Sequence, residues 1–234
     1  MSDSTRMSDG TRLVFQAVTG YIDDHRLRSG DALPSENDFA DTVGVSRTVV
    51  RQAFGALGAL RLIETGNGRR PRVGKIDASV VALPLAHAVS TAQATVQQVW
   101  DARRALERRT AMLAALQRTR AEANEIIALS RRMRSAGDDL PQQVEHDIAF
   151  HAAIADATRN PVLALLIGSF AELMRRTCPI GWQARRTDTD RLAVFDQHDV
   201  IAAAIEAGDA VAAEAAMDAH FELSLRALAS TGFN

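Results

Sequence analysis

The chain is poor in the features that mark several protein classes. It has one cysteine, Cys178, in 234 residues. No internal disulfide can form, which fits a reducing compartment and excludes a disulfide-stapled scaffold. No apolar run approaches the roughly 18 residues of a membrane-spanning helix. The first eleven residues are polar, without the apolar stretch of a signal peptide. A cytoplasmic location and no membrane partner are therefore expected. There is no internal repeat and no heptad run of coiled-coil length. Net charge is close to zero, −2 at neutral pH. What is present, at 47% hydrophobic residues, can build a sizeable core in one or two domains.

The small net charge hides an uneven distribution. Between Ser46 and Lys75 seven basic residues face one acid, Glu64, a local net of +6. From Ile76 onward 16 arginines face 20 acids, a net of −4. A basic patch on a mildly acidic chain indicates a localised polyanion site.

The patch coincides with a pattern. Leu33-Pro34-Ser35-Glu36 opens a short helix, and Ser35 with Asp38 forms an [ST]-x-x-[DE] capping signature. Gly44 marks a tight turn, and Ser46 is placed to cap the next helix. On that helix Val50, Phe54 and Leu57 share one face, while Arg47 and Arg51 share another. An apolar back and a cationic front suit a helix lying in the DNA major groove. Arginine's planar fork fits either guanine or phosphate, so both remain open for Arg47 and Arg51. Ser46 and Thr48 suit phosphate positioning.

In chain order, residues 1–10 read as a disordered tail and 11–75 as a winged helix-turn-helix domain. Its first helix is expected over Thr11–Leu27. After the second helix of the motif, Leu62–Thr65 and Arg69–Val73 flank Gly66-Asn67-Gly68, a hairpin signal. This "wing" would offer Asn67, Gly68 and Arg69 to phosphates or the minor groove. Pro71 suits a ribbon made only of edge strands. Residues 76–90 read as a linker with some structure. Residues 91–234 read as an all-α bundle of about six helices, near 93–117, 121–135, 139–157, 161–177, 188–207 and 209–230. Breaks are expected at Gly137-Asp138, Asn160-Pro161, Cys178–Gly181 and Gly208-Asp209. The fold class is thus mainly α, a winged helix-turn-helix followed by a helical bundle.

Two halves of the chain resemble one family. Gly30-Asp31-x-Leu33-Pro34-Ser35-Glu36, Val45-Ser46-Arg47-x-x-Val50-Arg51 and Leu57-x-x-Leu60-x-Leu62-Ile63 resemble the winged-helix domain of GntR-type bacterial regulators. Arg103-x-x-Leu106-Glu107, Asp147-x-x-Phe150-His151, His198-x-x-Ile201-x-x-Ala204-Ile205 and Met217-x-x-His220 resemble the FCD-type effector domain of its FadR subgroup. The resemblance implies DNA contact by Arg47, Thr48 and Arg51. It also implies a homodimer on a palindromic double-stranded operator and repression relieved by a small carboxylate effector, an organic or sugar acid. Two departures stand out: the wing is unusually basic, and Asn37 replaces an operator-reading arginine of some relatives.

Asp147 and His151 are i, i+4 on one helix. His198 and His220 lie on the two helices flanking the Gly208 break. One carboxylate and three imidazoles suit a divalent ion: zinc, or manganese, iron or nickel. The resemblance implies that these four are the metal ligands. Arg103 either traps the effector's carboxylate or pairs with Glu107 at i+4 on the surface. Trp182 sits in an expected Pro/Gly-bounded loop. Two other readings remain: a metal-dependent enzyme with an appended DNA-binding domain, and a ligand-independent DNA-binding protein. The first is disfavoured by the lack of H-E-x-x-H or a comparable general-base spacing.

Overall fold

The computed structural model describes residues 8–66, 69–185 and 187–231. Among them, eleven helices and one hairpin divide into two compact units between Val80 and Val81.

The first unit contains α1 (Asp9–Asp24), α2 (Glu36–Val43), α3 (Arg47–Ala59), β1 (Ile63–Gly66) and β2 (Arg69–Val73). Ser35 and Asp38 cap α2 reciprocally, and Ser46 caps α3 by accepting from the Val49 N–H. Such caps contribute about 1 kcal/mol each. Between the helices Gly44 takes φ +73°, a left-handed turn that a side chain would strain. Val50, Phe54 and Leu57 are buried against Val14, Val18, Leu33 and Phe39. The helix-turn-helix therefore rests on α1 through the apolar back of α3.

Three details depart from expectation. α1 begins at Asp9, earlier than expected, because the Ser8 hydroxyl accepts from the Thr11 N–H. Residues 1–7 of the expected tail lie outside the described residues. The hairpin pairs Ile63 with Val73 and Gly66 with Arg69, but β2 is not a free edge. Ala32 bridges to Arg72, and the Pro71 carbonyl accepts from the Leu33 N–H at 2.8 Å. Proline is tolerated because its missing donor faces this single bridge and not a continuous ladder.

The second unit is helical: the greater part of α4 (Ser79–Ser90), then α5 (Val96–Gln117), α6 (Arg120–Ser135), α7 (Leu140–Ala157), α8 (Pro161–Ser169), α9 (Ala171–Ala184), α10 (Asp188–Ala207) and α11 (Ala210–Ala229). The stretch expected as a linker is mostly α4. Its Ala86, Leu85 and Val89 pack into the helical core, and that burial outweighs the one backbone bond lost at Pro84. Capping boxes Thr95/Gln98, Thr119/Glu122 and Thr187/Asp190 start α5, α6 and α10, and Asp139 and Asp209 cap α7 and α11. The helix expected over 161–177 is two helices. α8 ends at Ser169, and α9 continues through Pro179 to Ala184. The buried face of Leu173, Met174, Thr177 and Gly181 holds α9 together across the proline.

Candidate functional site

The helical unit turns one side chain of α10, one of α11 and two of α7 toward a single point. Asp147, His151, His198 and His220 each offer a ligand atom, and these atoms all lie within 4.8 Å of one another. The three histidines are buried and Asp147 is partly so. His198 Nδ1 lies 2.7 Å from the Val194 carbonyl, an oxygen that only accepts, so the proton belongs on Nδ1. His198 Nε2 then faces Asp147 Oδ1 at 3.0 Å. In the neutral ring that is a lone pair against a carboxylate, a contact that requires either a second proton or a cation between them. His151 Nε2 stands 3.7 Å from the same oxygen. His151 Nε2 and His220 Nδ1 are buried without hydrogen-bond partners. Unpartnered buried nitrogens beside a carboxylate fit a divalent ion, which supplies the missing partner to each.

Electrostatics agree with that chemistry. Burial alone would raise the Asp147 pKa. With a second proton on His198, Nε2–H donates to Asp147, and that bond together with the surrounding imidazoles outweighs burial and holds the carboxyl far below the ordinary range. Burial, followed by the neighbouring His198 and His151, pushes His220 well below 6.5. The site therefore presents an ionised carboxylate and a neutral His220, the protonation states of metal ligands.

A second layer holds the first. His151 Nδ1 lies directly against Glu107 Oε2, in close contact though not aligned as a hydrogen bond. Glu107 is also gripped by Arg103, with Nε at 2.8 Å and Nη2 at 2.7 Å from Oε1. Burial would raise the Glu107 pKa, but Arg103 and His151 together lower it. The i, i+4 pair that could have lain on the surface is thus an interior relay, with Arg103 2% and Glu107 1% exposed. Arg103 also sits 5.1 Å from the Trp100 ring and 5.2 Å from the Phe221 ring. On the far side of Asp147, the Cys178 thiol donates to Oδ2 at 3.8 Å. Burial first, then Asp147, raises that thiol's pKa well above 9, so it stays protonated.

Beside the four ligands lies a cavity of about 60 Å³, whose walls include Arg103, Gln143, Cys178, Trp182 and Arg185. Trp182, expected in a loop, is on the helix α9. Glu107 as the partner of His151 was signalled only by its i+4 spacing from Arg103. Arg185 had no signal in the sequence.

In the first unit, Ser46 at the N-cap of α3 and Arg47, Thr48 and Arg51 on that helix are exposed, and Arg69 is exposed on β2. Asn67 and Gly68 lie outside the described residues. An open groove between α2, α3 and the hairpin is lined by Asn37, Arg51, Arg69 and Arg70. Arg51 Nε lies 3.6 Å from Glu36 Oε2. Arg72 is turned back, donating to the Gly30 carbonyl at 2.7 Å.

Comparison with known proteins matches both units. Residues 11–73 match the model of the bacterial regulatory proteins, gntR family, and residues 98–223 match the FCD domain. The HTH-type transcriptional regulator LutR of Bacillus subtilis is 34% identical over 203 residues, 85% of this chain and 92% of LutR. The Glc operon transcriptional activator of Escherichia coli is 32% identical over 167 residues, 69% of this chain and 66% of the activator. The solved structure of Streptococcus agalactiae GntR has the same fold, with TM-score 0.69 at 20% identity over 92% of this chain and 99% of that one. The families and relatives matched are transcription regulators and not enzymes, which sets aside the metal-dependent enzyme reading.

Proposed function

Since this chain belongs to the GntR family of bacterial regulatory proteins and carries an FCD domain, we propose that it senses a small organic acid through a divalent metal and adjusts its grip on DNA accordingly. Asp147, His151, His198 and His220 hold the ion. A divalent ion held by these four keeps positions open for a carboxylate. Arg103, fixed by Glu107, forms a cationic wall of the acid's cavity. A cavity of about 60 Å³ favours a small organic acid over a sugar acid. Zinc is the ion we favour, with manganese, iron and nickel as alternatives.

The output is a homodimer on a palindromic operator. Arg47 and Arg51 read the major groove or its phosphates. Ser46 and Thr48 position the helix. Asn67, Gly68 and Arg69 of the wing approach the backbone or minor groove. Repression relieved by the acid is the expected sign, although one relative is named an activator. A coupling of about 1–3 kcal/mol would change DNA affinity roughly 5- to 150-fold. Since the target is bacterial DNA, the protein would work in the cytoplasm.

The observation that carries this reading is the convergence of four donor atoms, with unpartnered buried imidazole nitrogens, beside a cavity. Metal analysis of the purified protein should find about one divalent ion per chain. Saturation with a bound acid at 100 times its Kd should stabilise the fold by about 2.7 kcal/mol. His198→Ala should abolish that shift. A shift that survives in His198→Ala, or a protein purified free of metal that cannot be loaded, would refute it.

A further inference from the structure

Arg185 differs from the other cations of the helical unit. It ends α9, is 9% exposed, and lines the same cavity as Asp147, His220 and Arg103. Its Nη1 donates to the Gly181 carbonyl at 2.8 Å. Its Nε is buried with no partner. Among the described residues it makes no ion pair, and Asp147 and Asp190 act on it only from beyond pairing distance. A buried guanidinium stays charged, and leaving it without a counter-ion is costly. Arg103 has its counter-ion in Glu107, so Arg185 is the cation left over.

Among the charged side chains that line the cavity, with Glu107 as the partner of Arg103, the charges can be matched one by one. Arg103 cancels Glu107, and Arg185 offsets Asp147. The imidazoles are neutral when they serve as metal ligands. A divalent ion therefore leaves a surplus of two positive charges in a desolvated space. An anion carrying one carboxylate removes only half of it. Size sets the other limit: the space beside the ligands is small, about 60 Å³, which favours the shortest diacids over longer ones.

We propose that Arg185 is the second anchor of the pocket and that the effector is a short dicarboxylate of three or four carbons. One carboxylate meets the metal and the other is forked by Arg185. This rests on the reading of the four-ligand cluster as a metal-dependent acid sensor.

The test uses the full-length, zinc-loaded protein and isothermal titration with two matched pairs of 2-hydroxy acids: tartronate against lactate, and malate against 2-hydroxybutyrate. Each pair differs by one carboxylate at constant length. The diacid should bind at least about tenfold more tightly in one pair or both, as expected for a charge-assisted forked contact. Arg185→Gln should bring the diacid down to its monoacid partner, and Arg185→Lys should restore part of the difference. Zinc content, measured alongside, should stay at wild-type level in both variants. Equal affinity within both pairs in the wild-type protein overturns the assignment, and this comparison needs no variant to fold. Preference for the diacid that survives in Arg185→Gln overturns it as well. If monoacids bind and require His198 while the pairs remain equal, only the Arg185 assignment falls. If none of the four acids binds, the metal-dependent acid reading falls with it.

Discussion

Glu107→Gln is a sharp perturbation of the helical unit because it changes one atom between two buried partners. The native carboxylate accepts from Arg103 through Oε1 and lies against His151 Nδ1 through Oε2. With an acceptor on that side, the His151 proton belongs on Nδ1, and Nε2 keeps its lone pair toward Asp147. A glutamine amide has one acceptor and one donor group. If its oxygen keeps Arg103, its NH₂ faces Nδ1, and the ring proton moves to Nε2. That atom is then unable to bind metal. Loss of such an orienting partner typically costs 10- to 100-fold in metal affinity. The substitution also leaves Arg103, 2% exposed, without its counter-ion, which typically costs about 3–5 kcal/mol. Two measurements separate these effects. Zinc affinity should be read by competition with a chromophoric chelator at pH 7, and apo stability by denaturant unfolding. Zinc affinity within about twofold of wild type, in a variant that is still folded, would refute the tautomer argument. Unchanged apo stability would refute the view that Arg103 and Glu107 depend on each other for charge balance.

Other consequences can be checked independently. Arg51→Ala should abolish specific operator binding in a gel-shift titration at fixed salt and leave the helical unit's melting unchanged. If about six phosphates are neutralised per bound unit, log K should fall with log salt at a slope near −5, and a flat response would exclude this binding mode. Gly74→Ala should disturb the wing, because a Cβ there would stand 2.1 Å from the Arg61 carbonyl oxygen. Backbone must move, at a cost of about 1–3 kcal/mol, and thermal unfolding together with DNA affinity would register it. Glu122 caps α6 and is forked by Arg159 at 2.6 and 2.8 Å. The Thr119 backbone bond and Arg159 lower its pKa below 4.5. Its contribution is therefore present above that value and lost as pH falls through the folded pKa. Glu122→Gln should cost up to about 1 kcal/mol at pH 7, with the difference vanishing in acid. A gap that does not shrink as the pH is lowered would contradict the assignment.

The DNA-reading unit was largely legible as sequence, since its determinants are local. Ser35 with Asp38, Gly44 and Ser46 act within a few residues, and Val50, Phe54 and Leu57 declare the buried face of α3 by spacing alone. The α7 pair Asp147/His151 was legible for the same reason. Where the reading failed, a distant contact had overruled a local signal. Pro179 looked like a helix break, but α9 buries Leu173, Met174 and Thr177 and runs through it. Residues 76–90 looked like a linker, but Ala86, Leu85 and Val89 had a core to enter.

Hydrogen bonds within a helical turn and the period of apolar residues span at most a few positions, so a linear reading sees the caps, the turn and the faces. Pairing across helices depends on which faces of α5, α7, α9, α10 and α11 turn inward together. That packing made a buried relay of Arg103 and Glu107, brought His198 and His220 to Asp147, and left Arg185 in a cavity wall without a counter-ion. The residue types proposed to hold a metal and an acid were visible in the chain; their burial and their partners came from the packing.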